Sequence, residues 1–442
     1  KIPGFFLLFF SIIGLTLVVS CQPAVSNQDS VFPTQGIPTA EAVIDQPTPI
    51  PVRKQYEPGE FVDYVAQSGD TIPALASHFN TSVKEILAAN PIIPKDITTL
   101  PPDFPMVIPI YYQPLWGSPY QIIPDSLFIN GPAQIQFNTV EFVDSQPGWL
   151  KNYQDYAAGN TLRGGEIVDY VSVHYSISPQ VLLAILEYQT GALSQKEIPE
   201  SGEYLLGFKD PVKKRLIQQL SIAANLLNDA YYGWRTGTLK SFEHLSGKLE
   251  VPDPWQNAAS VSLQVYFARI LDDEDYLKAT HENGFYSTFT KLFGDPWQQV
   301  QPHIPGSLSQ PELRLPFPAG KAWTLTGGPH TGWGDGLPWA ALDFAPLGVK
   351  HCDNSSDWVT AMADGVIART GEGIAVLDLD GDGDERTGWV IFYLHLDNVD
   401  KVQVGDRVRA GDAIGHPSCE GGSATGTHIH VARKYNGEWI PA

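Results

Sequence analysis

The chain has 442 residues, with 28 Lys+Arg against 49 Asp+Glu and a formal net charge of −21. A balance that acidic argues against nucleic acid and anionic lipid headgroups as main partners. Hydrophobic and aromatic contents of 43% and 11% exclude a globally disordered chain, and at ~150 residues per domain the length predicts two to four domains. The chain opens on Lys1 rather than Met and stops at Trp439-Ile440-Pro441-Ala442, so both ends are expected to be incomplete.

Residues 5–20, FFLLFFSIIGLTLVVS, are almost purely apolar. The run is shorter than the ~20 residues that span a bilayer and fits the apolar region of an export signal. Its end, Val18-Val19-Ser20-Cys21, resembles a bacterial lipobox. That resemblance implies a lipoprotein signal peptide over 1–21 and a lipid on Cys21. The protein is then exported and held at the outer face of the cell membrane or in the envelope. An ordinary signal peptide with a chance Cys is the plainer alternative. With Cys21 lipidated, Cys352 and Cys419 remain as a pair in an oxidising compartment, as a disulfide or as two inert thiols. Residues 22–58 interleave Pro23, Pro33, Pro38, Pro47, Pro49, Pro51 and Pro58 with small polar residues and read as a disordered tether.

Residues 61–110 read as strand, helix, helix, strand. Tyr64-Val65-Ala66 is a short strand; Ile72, Leu75, Ala76 and Phe79 have helical spacing after a Ser68–Thr71 turn; Ser82 caps a second helix that Asn90-Pro91 ends; Val107–Pro109 closes the unit. This pattern resembles the lysin motif (LysM). The resemblance implies binding of the glycan of peptidoglycan or chitin, with Gly69, Asp70, Thr71, Asn90 and Pro91 lining the sugar groove; a spacer that has lost its ligand is the alternative.

Residues 111–147 are aromatic, Pro-rich and read as an irregular connector without assignable chemistry. Residues 148–300 are helical. Ile167, Val168 and Val171 share a face, Ser178-Pro179 starts a helix through Tyr188, Pro211 opens another bearing Leu216, Leu220, Ala223 and Leu227, and Asn257–Leu271 forms a further one. The segment SPQVLLAILEYQTGALS resembles the helix that carries the catalytic Glu of lysozyme-like lytic transglycosylases. In that register the acid falls on Gln189, whose amide cannot protonate a glycosidic oxygen, and Glu187 points elsewhere. The domain is therefore expected to be lysozyme-like but degenerate. It either contacts glycan or spaces the domains on either side.

From about Leu313 short strands and Gly turns predict an all-β domain over 313–442. In Thr427-His428-Ile429-His430-Val431 the two His stand at i and i+2 on one strand face. Two imidazoles there are costly to bury without a charge partner or metal. His395 in YLHL, Asp343 in ALDFA and His330 in TGGPH complete a cluster.

With VGDRVRAGDAIG at 404–415, these residues resemble the lysostaphin-type zinc endopeptidases that cut peptidoglycan peptides. The usual first ligand, four residues before the Asp, falls on Trp339. The separation of His330 from Asp343 instead resembles the staphylolysin and beta-lytic subgroup, which has a longer loop. The resemblance implies one Zn²⁺ held by His330, Asp343 and His430, with His395 and His428 as general base and oxyanion donor. It also implies the duplicated-hybrid β fold. A Cys352–Cys419 bridge would stiffen that site, and His351 and His416 are expected in surface or loop roles. Asp378-Leu379-Asp380-Gly381-Asp382-Gly383-Asp384 starts like a Ca²⁺ loop, but Trp389 stands where the bidentate Glu belongs, so a solvated hairpin turn is expected instead.

The expectation is a multidomain chain: a βααβ LysM module, an all-α lysozyme-like middle domain and an all-β peptidase domain. Its function is that of a membrane-anchored zinc endopeptidase cleaving peptidoglycan stems or cross-bridges. A catalytically silent regulator, a dual hydrolase with transglycosylase activity and a wall-binding adhesin are the rivals.

Overall fold

In the computed structural model residues 54–442 are described, apart from 112, 114, 115, 158 and 201. The expected signal peptide, Cys21 and nearly all of the expected tether lie outside the described residues. Among the described residues no helix is long and apolar enough to cross a membrane.

The first unit is β1 (Glu60–Val65), α1 (Ile72–His78), α2 (Val83–Ala89) and β2 (Pro105–Ile110), with β1 and β2 antiparallel. Thr71 caps α1 by accepting from the Ala74 N–H. Ser82 and Glu85 form a reciprocal capping box on α2. Tyr64, Leu75, Phe79, Ile86 and Ile108 close a small core of its own.

The helical region begins earlier than the sequence pattern suggests. Residues 111–147, expected to be an irregular connector, include α3 (Asp125–Phe128) and α4 (Thr139–Ser145), and Ile122, Ile123, Leu127 and Phe128 are fully buried in the large core. Next come the hairpin β3 (Gln154–Ala157) and β4 (Asn160–Arg163), α5 (Gly164–Tyr175), α6 (Pro179–Thr190) and α7 (Leu216–Arg235). The strands β5 (Phe242–Glu243) and β6 (Leu249–Glu250), then α8 (Ala258–Ile270), α9 (Asp273–Ala279) and α10 (Ser287–Phe293) complete it. Pro211 does not open α7: the residues after it make a turn, and the helix starts at Leu216 behind Arg215.

The C-terminal part contains β7 (Trp323–His330), β8 (Ala341–Pro346), β9 (Val359–Thr360), β10 (Gly365–Gly371), β11 (Ile374–Asp378) and β12 (Trp389–Leu394). It ends with β13 (Arg407–Val408), β14 (Ala413–Gly415), β15 (Ile429–Tyr435) and β16 (Glu438–Ile440). The main sheet is antiparallel in the order β13-β10-β11-β12-β15-β8-β7, with β16 also on β15, and β9 pairs with β14 apart from it.

This sheet is covered on both faces. Ile374, Val376, Val390, Phe392 and Leu394 belong to the same core as the helices, whereas Ala375, Leu377, Ile391 and Tyr393 belong to a separate core on the opposite face. A strand buried on both faces reads as an unbroken apolar run rather than an alternation, and Val390–Leu394 is such a run. The helical region is therefore one wall of the peptidase sheet and not a spacer.

Buried ions fasten the junction of the three parts. Glu438 on β16 meets the Arg235 guanidinium of α7 at 2.7 Å and His303 Nε2 at 2.7 Å. Arg235 also donates to the Ser68 carbonyl of the first unit. Burial alone would push the Glu438 carboxyl up, but Arg235 and His303 hold it down at about 2.

Candidate metal centre

Strand register assembles the centre. His430 on β15 stands opposite Asp343 on β8 and opposite Leu394, next to His395, on β12. His330 ends β7, which pairs with β8. Three donor atoms then converge. His330 Nε2 is 3.0 Å from His430 Nδ1 and 3.2 Å from Asp343 Oδ1, and His430 Nδ1 is 3.3 Å from Asp343 Oδ1. A tetrahedral zinc with ligand bonds of about 2.0–2.1 Å needs its donor atoms about 3.3 Å apart.

The protonation pattern asks for a cation. His430 Nε2 lies 3.1 Å from the Gly332 carbonyl, which can only accept, so that nitrogen carries the hydrogen. The bare Nδ1 of the neutral ring then faces the Asp343 carboxylate, lone pair to lone pair. Asp343 Oδ1 is buried and has no hydrogen-bond donor. His330 Nε2 and His430 Nδ1 lie 3.2 and 3.3 Å from that oxygen. Burial lowers the His430 imidazole, keeping it neutral. A carboxylate and two neutral imidazoles with one side open make the donor set of a catalytic zinc site.

His395 and His428 stand beside this triangle. His395 donates Nδ1–H to the Glu420 carbonyl at 2.8 Å, and His428 donates Nδ1–H to the Gly426 carbonyl at 2.7 Å. Each therefore turns Nε2 away from its anchor. His428 Nε2 is 3.6 Å from Asp343 Oδ2, and the two rings are 4.5 Å apart. Burial, reinforced by His428, lowers His395 to about 4.

The disulfide Cys352–Cys419 is formed. It ties the loop after β8 to the loop that carries the Glu420 carbonyl. Near it, Thr427 donates Oγ1–H to the Asp353 carbonyl at 2.7 Å, and the Ser418 N–H donates to the His395 carbonyl at 2.7 Å. The bridge thus braces both anchors of the auxiliary histidines. His416 donates to the Asp357 carbonyl and packs at a tilt against Trp358, and His351 is exposed, as expected of loop residues.

The loop between His330 and Asp343 is held from outside the sheet. Asn225 and Asp229, one turn apart on α7, accept from the Asp335 N–H at 2.9 Å and the Leu337 N–H at 2.6 Å. Gly334 and Gly336 have φ of +77° and +82°, and a Cβ on either would lie 2.4 Å or less from those side-chain oxygens. Only glycine satisfies both the left-handed backbone and the close approach. Trp333 packs at a tilt against His174 of α5, with ring centroids 4.5 Å apart. The Gly332 carbonyl that orients His430 belongs to this clamped loop. Nothing in the sequence pattern marks Asn225, Asp229 or Gly332; the Gly-x-Gly spacing at 334–336 is the local signal of the clamp.

Other expected sites resolve differently. Asp70 accepts from the Tyr64 hydroxyl at 2.7 Å and from the Gln67 N–H, and burial pushes its carboxyl up to about 6. Asn90 bonds the Ile86 and Val107 backbones, Thr71 caps α1, and Gly69 lies under the Arg235 guanidinium. Residues 303–308 of the same chain cross the neighbouring loops. Ser68 Oγ accepts from the Ile304 N–H at 2.8 Å, and Thr99 Oγ1 donates to the Pro305 carbonyl at 2.7 Å. Of the five residues expected to line a sugar groove, Pro91 alone is exposed. Gly69, Asp70 and Asn90 are engaged by their own fold and by other parts of the chain in this structure.

In the acidic loop, Asp378, Asp380 and Asp382 come together, and their oxygens accept from backbone N–H groups of the turn. Gln189 Oε1 accepts from the Tyr266 hydroxyl at 2.6 Å, and Glu187 caps the end of α6 by accepting from the Leu193 N–H at 2.7 Å.

Comparison with known proteins agrees with this geometry. Residues 64–109 match the LysM domain, 121–306 the N-terminal domain of LasA, and 347–441 peptidase family M23. The chain is 26% identical over 335 residues to protease LasA of Pseudomonas aeruginosa strain PAO1, covering 72% of this chain and 74% of that protein. It is 33% identical over 135 residues to a beta-lytic metalloendopeptidase of Achromobacter lyticus, covering 29% of this chain and 34% of that protein. To a beta-lytic metalloendopeptidase of Lysobacter enzymogenes it is 32% identical over 136 residues, covering 29% of this chain and 71% of that protein. The chain belongs to peptidase family M23. It is a zinc metalloendopeptidase with His330, Asp343 and His430 as its metal triad. The M23 match itself starts downstream of His330 and Asp343, so it is the geometry that joins those two to His430. The middle of this M23 peptidase matches the N-terminal domain of LasA over 121–306, so the helical region begins near residue 121 rather than at 148.

Proposed function

We propose that this M23 peptidase is exported, tethered by a lipid on Cys21, and hydrolyses peptide bonds in the stems or cross-bridges of peptidoglycan. The observation that carries the chemistry is the triangle of His330 Nε2, Asp343 Oδ1 and His430 Nδ1 with two more histidines beside it. The lipobox-like Val18–Cys21 supports the tether, and the LysM match supports a wall substrate.

When bound, zinc supplies Lewis-acid polarisation of the scissile carbonyl and makes water acidic enough to attack near neutral pH. The chain's own groups do the rest. His395, lowered to about 4, is neutral at pH 7. Its Nδ1–H is fixed on Glu420, so Nε2 is free to take the proton of the attacking water and return it to the leaving amine. His428, with Nε2 3.6 Å from Asp343 Oδ2, is the residue placed to serve the oxygen of the tetrahedral species. Retention of all these groups disfavours a silent regulator. The structural uses of Glu187 and Gln189 disfavour a second, glycan-cutting centre in the helices.

The test is digestion of purified peptidoglycan by the exported chain, with and without a chelator, read by mass spectrometry. New peptide amine ends that vanish with chelator support the proposal. Intact peptides, or cleaved glycan with intact peptides, overturn it.

A further inference from the structure

The geometry points to a saccharide-binding cleft between the LysM unit and the helical region, on the outer face of β1 and bordered by Ser68 and His303, where the chain crosses the LysM loop. This rests on the wall-substrate reading above. The cleft has a volume of about 980 Å³, at the upper end of the ~300–1,000 Å³ usual for ligand sites. None of the metal-centre histidines lines it.

Its walls combine flat aromatic surface with unspent polar groups. Trp255 is a fixed plate: its ring packs edge-on against Phe79 at 5.0 Å, and Gln121 Nε2 donates to its carbonyl at 2.8 Å. Trp297 also lines the cleft and is 37% exposed. Asp63 and Asp103 border the same space, and their carboxylates carry no hydrogen bond or ion pair among the described residues. Gln301 adds an amide to that lining.

A pyranose ring has apolar C–H faces and a rim of hydroxyls. Indole plates match the faces, and carboxylates and amides match the rim. A metal ion or a lone amine would use the carboxylates but would leave the tryptophans and most of the volume without a role. The cleft therefore takes a segment of the glycan strand, while the peptide attached to that strand goes to the metal centre. Two contacts on one polymer raise the local concentration of the second.

The test uses the zinc-loaded full exported chain and a peptide-free GlcNAc–MurNAc tetrasaccharide, with binding followed by calorimetry and by tryptophan fluorescence. Trp297→Ala and the double variant Asp63→Asn/Asp103→Asn are each expected to weaken binding roughly tenfold or more, with unfolding temperatures showing that both remain folded. Unchanged affinity in both variants overturns the cleft. So does loss of binding on substitution of Pro91, which would return the sugar to the LysM loops. Equal or tighter binding of a sugar-free stem peptide to the same residues also overturns it. Wild-type protein that cuts peptide but binds no tetrasaccharide overturns this inference alone; protein that does neither overturns the proposed function as well.

Discussion

Removing the side chains of Asn225 and Asp229 should loosen the metal centre from a distance. Neither residue is a ligand, yet they hold the backbone of the loop whose Gly332 carbonyl sets the His430 tautomer. A neutral hydrogen bond contributes about 0.5–1.5 kcal/mol and one to a carboxylate about 1.5–3 kcal/mol. Losing both would therefore release roughly 2–4 kcal/mol of restraint. Part of the loop's order survives, because Trp333 still packs against His174. The expected loss of zinc affinity in Asn225→Ala/Asp229→Ala is thus about 10–100-fold, the range typical of groups that orient a metal ligand. Competition against a chromogenic chelator measures it, with circular dichroism to confirm the fold. Zinc affinity within twofold of wild type in the folded double variant would show that the helices do not position the ligand loop.

Other outcomes follow from the same contacts. His395→Ala and His428→Ala should each lower kcat by about 10²–10⁴ while zinc content, measured by atomic absorption, stays at one per chain; loss of the metal would make them ligands instead. Cys352→Ser/Cys419→Ser opens a closure of 67 residues and should cost about 4 kcal/mol by the chain-entropy relation, seen as a lower urea midpoint. Glu385, beside Arg369 and Lys434, and Glu438, beside Arg235 and His303, are each held at about 2 when folded. Because their folded values are depressed, their contribution is present above pH ~4.5 and fades as pH falls toward 2, by up to about 1.4 kcal/mol per pH unit for each. Urea unfolding at pH 4.5 and pH 3 should differ by roughly 3 kcal/mol, and equal stability at the two would contradict the pairing.

The sequence by itself determined the local units and the chemistry of the centre. The capped helices of the LysM unit follow from Thr71, Ser82 and Glu85, which act within one turn of themselves. His428 and His430 share a face because strand side chains alternate with a period of two, whatever surrounds them. With Cys21 read as lipidated, the sequence left Cys352 and Cys419 as a disulfide or two thiols, and the structure forms the bridge. What only the tertiary structure decided was which surfaces are free. Gly69, Asp70 and Asn90 look available in a lone LysM unit, yet Arg235 covers the first and hydrogen bonds inside the fold use the other two. The helices looked like a spacer because α7's partners, the loop at 332–337 and Glu438 on β16, lie roughly 100 to 200 residues further along the chain. The run Val390–Leu394 did carry the signal that its sheet is covered on both sides. Periodicity states that a face is buried; only the packed chain states against what.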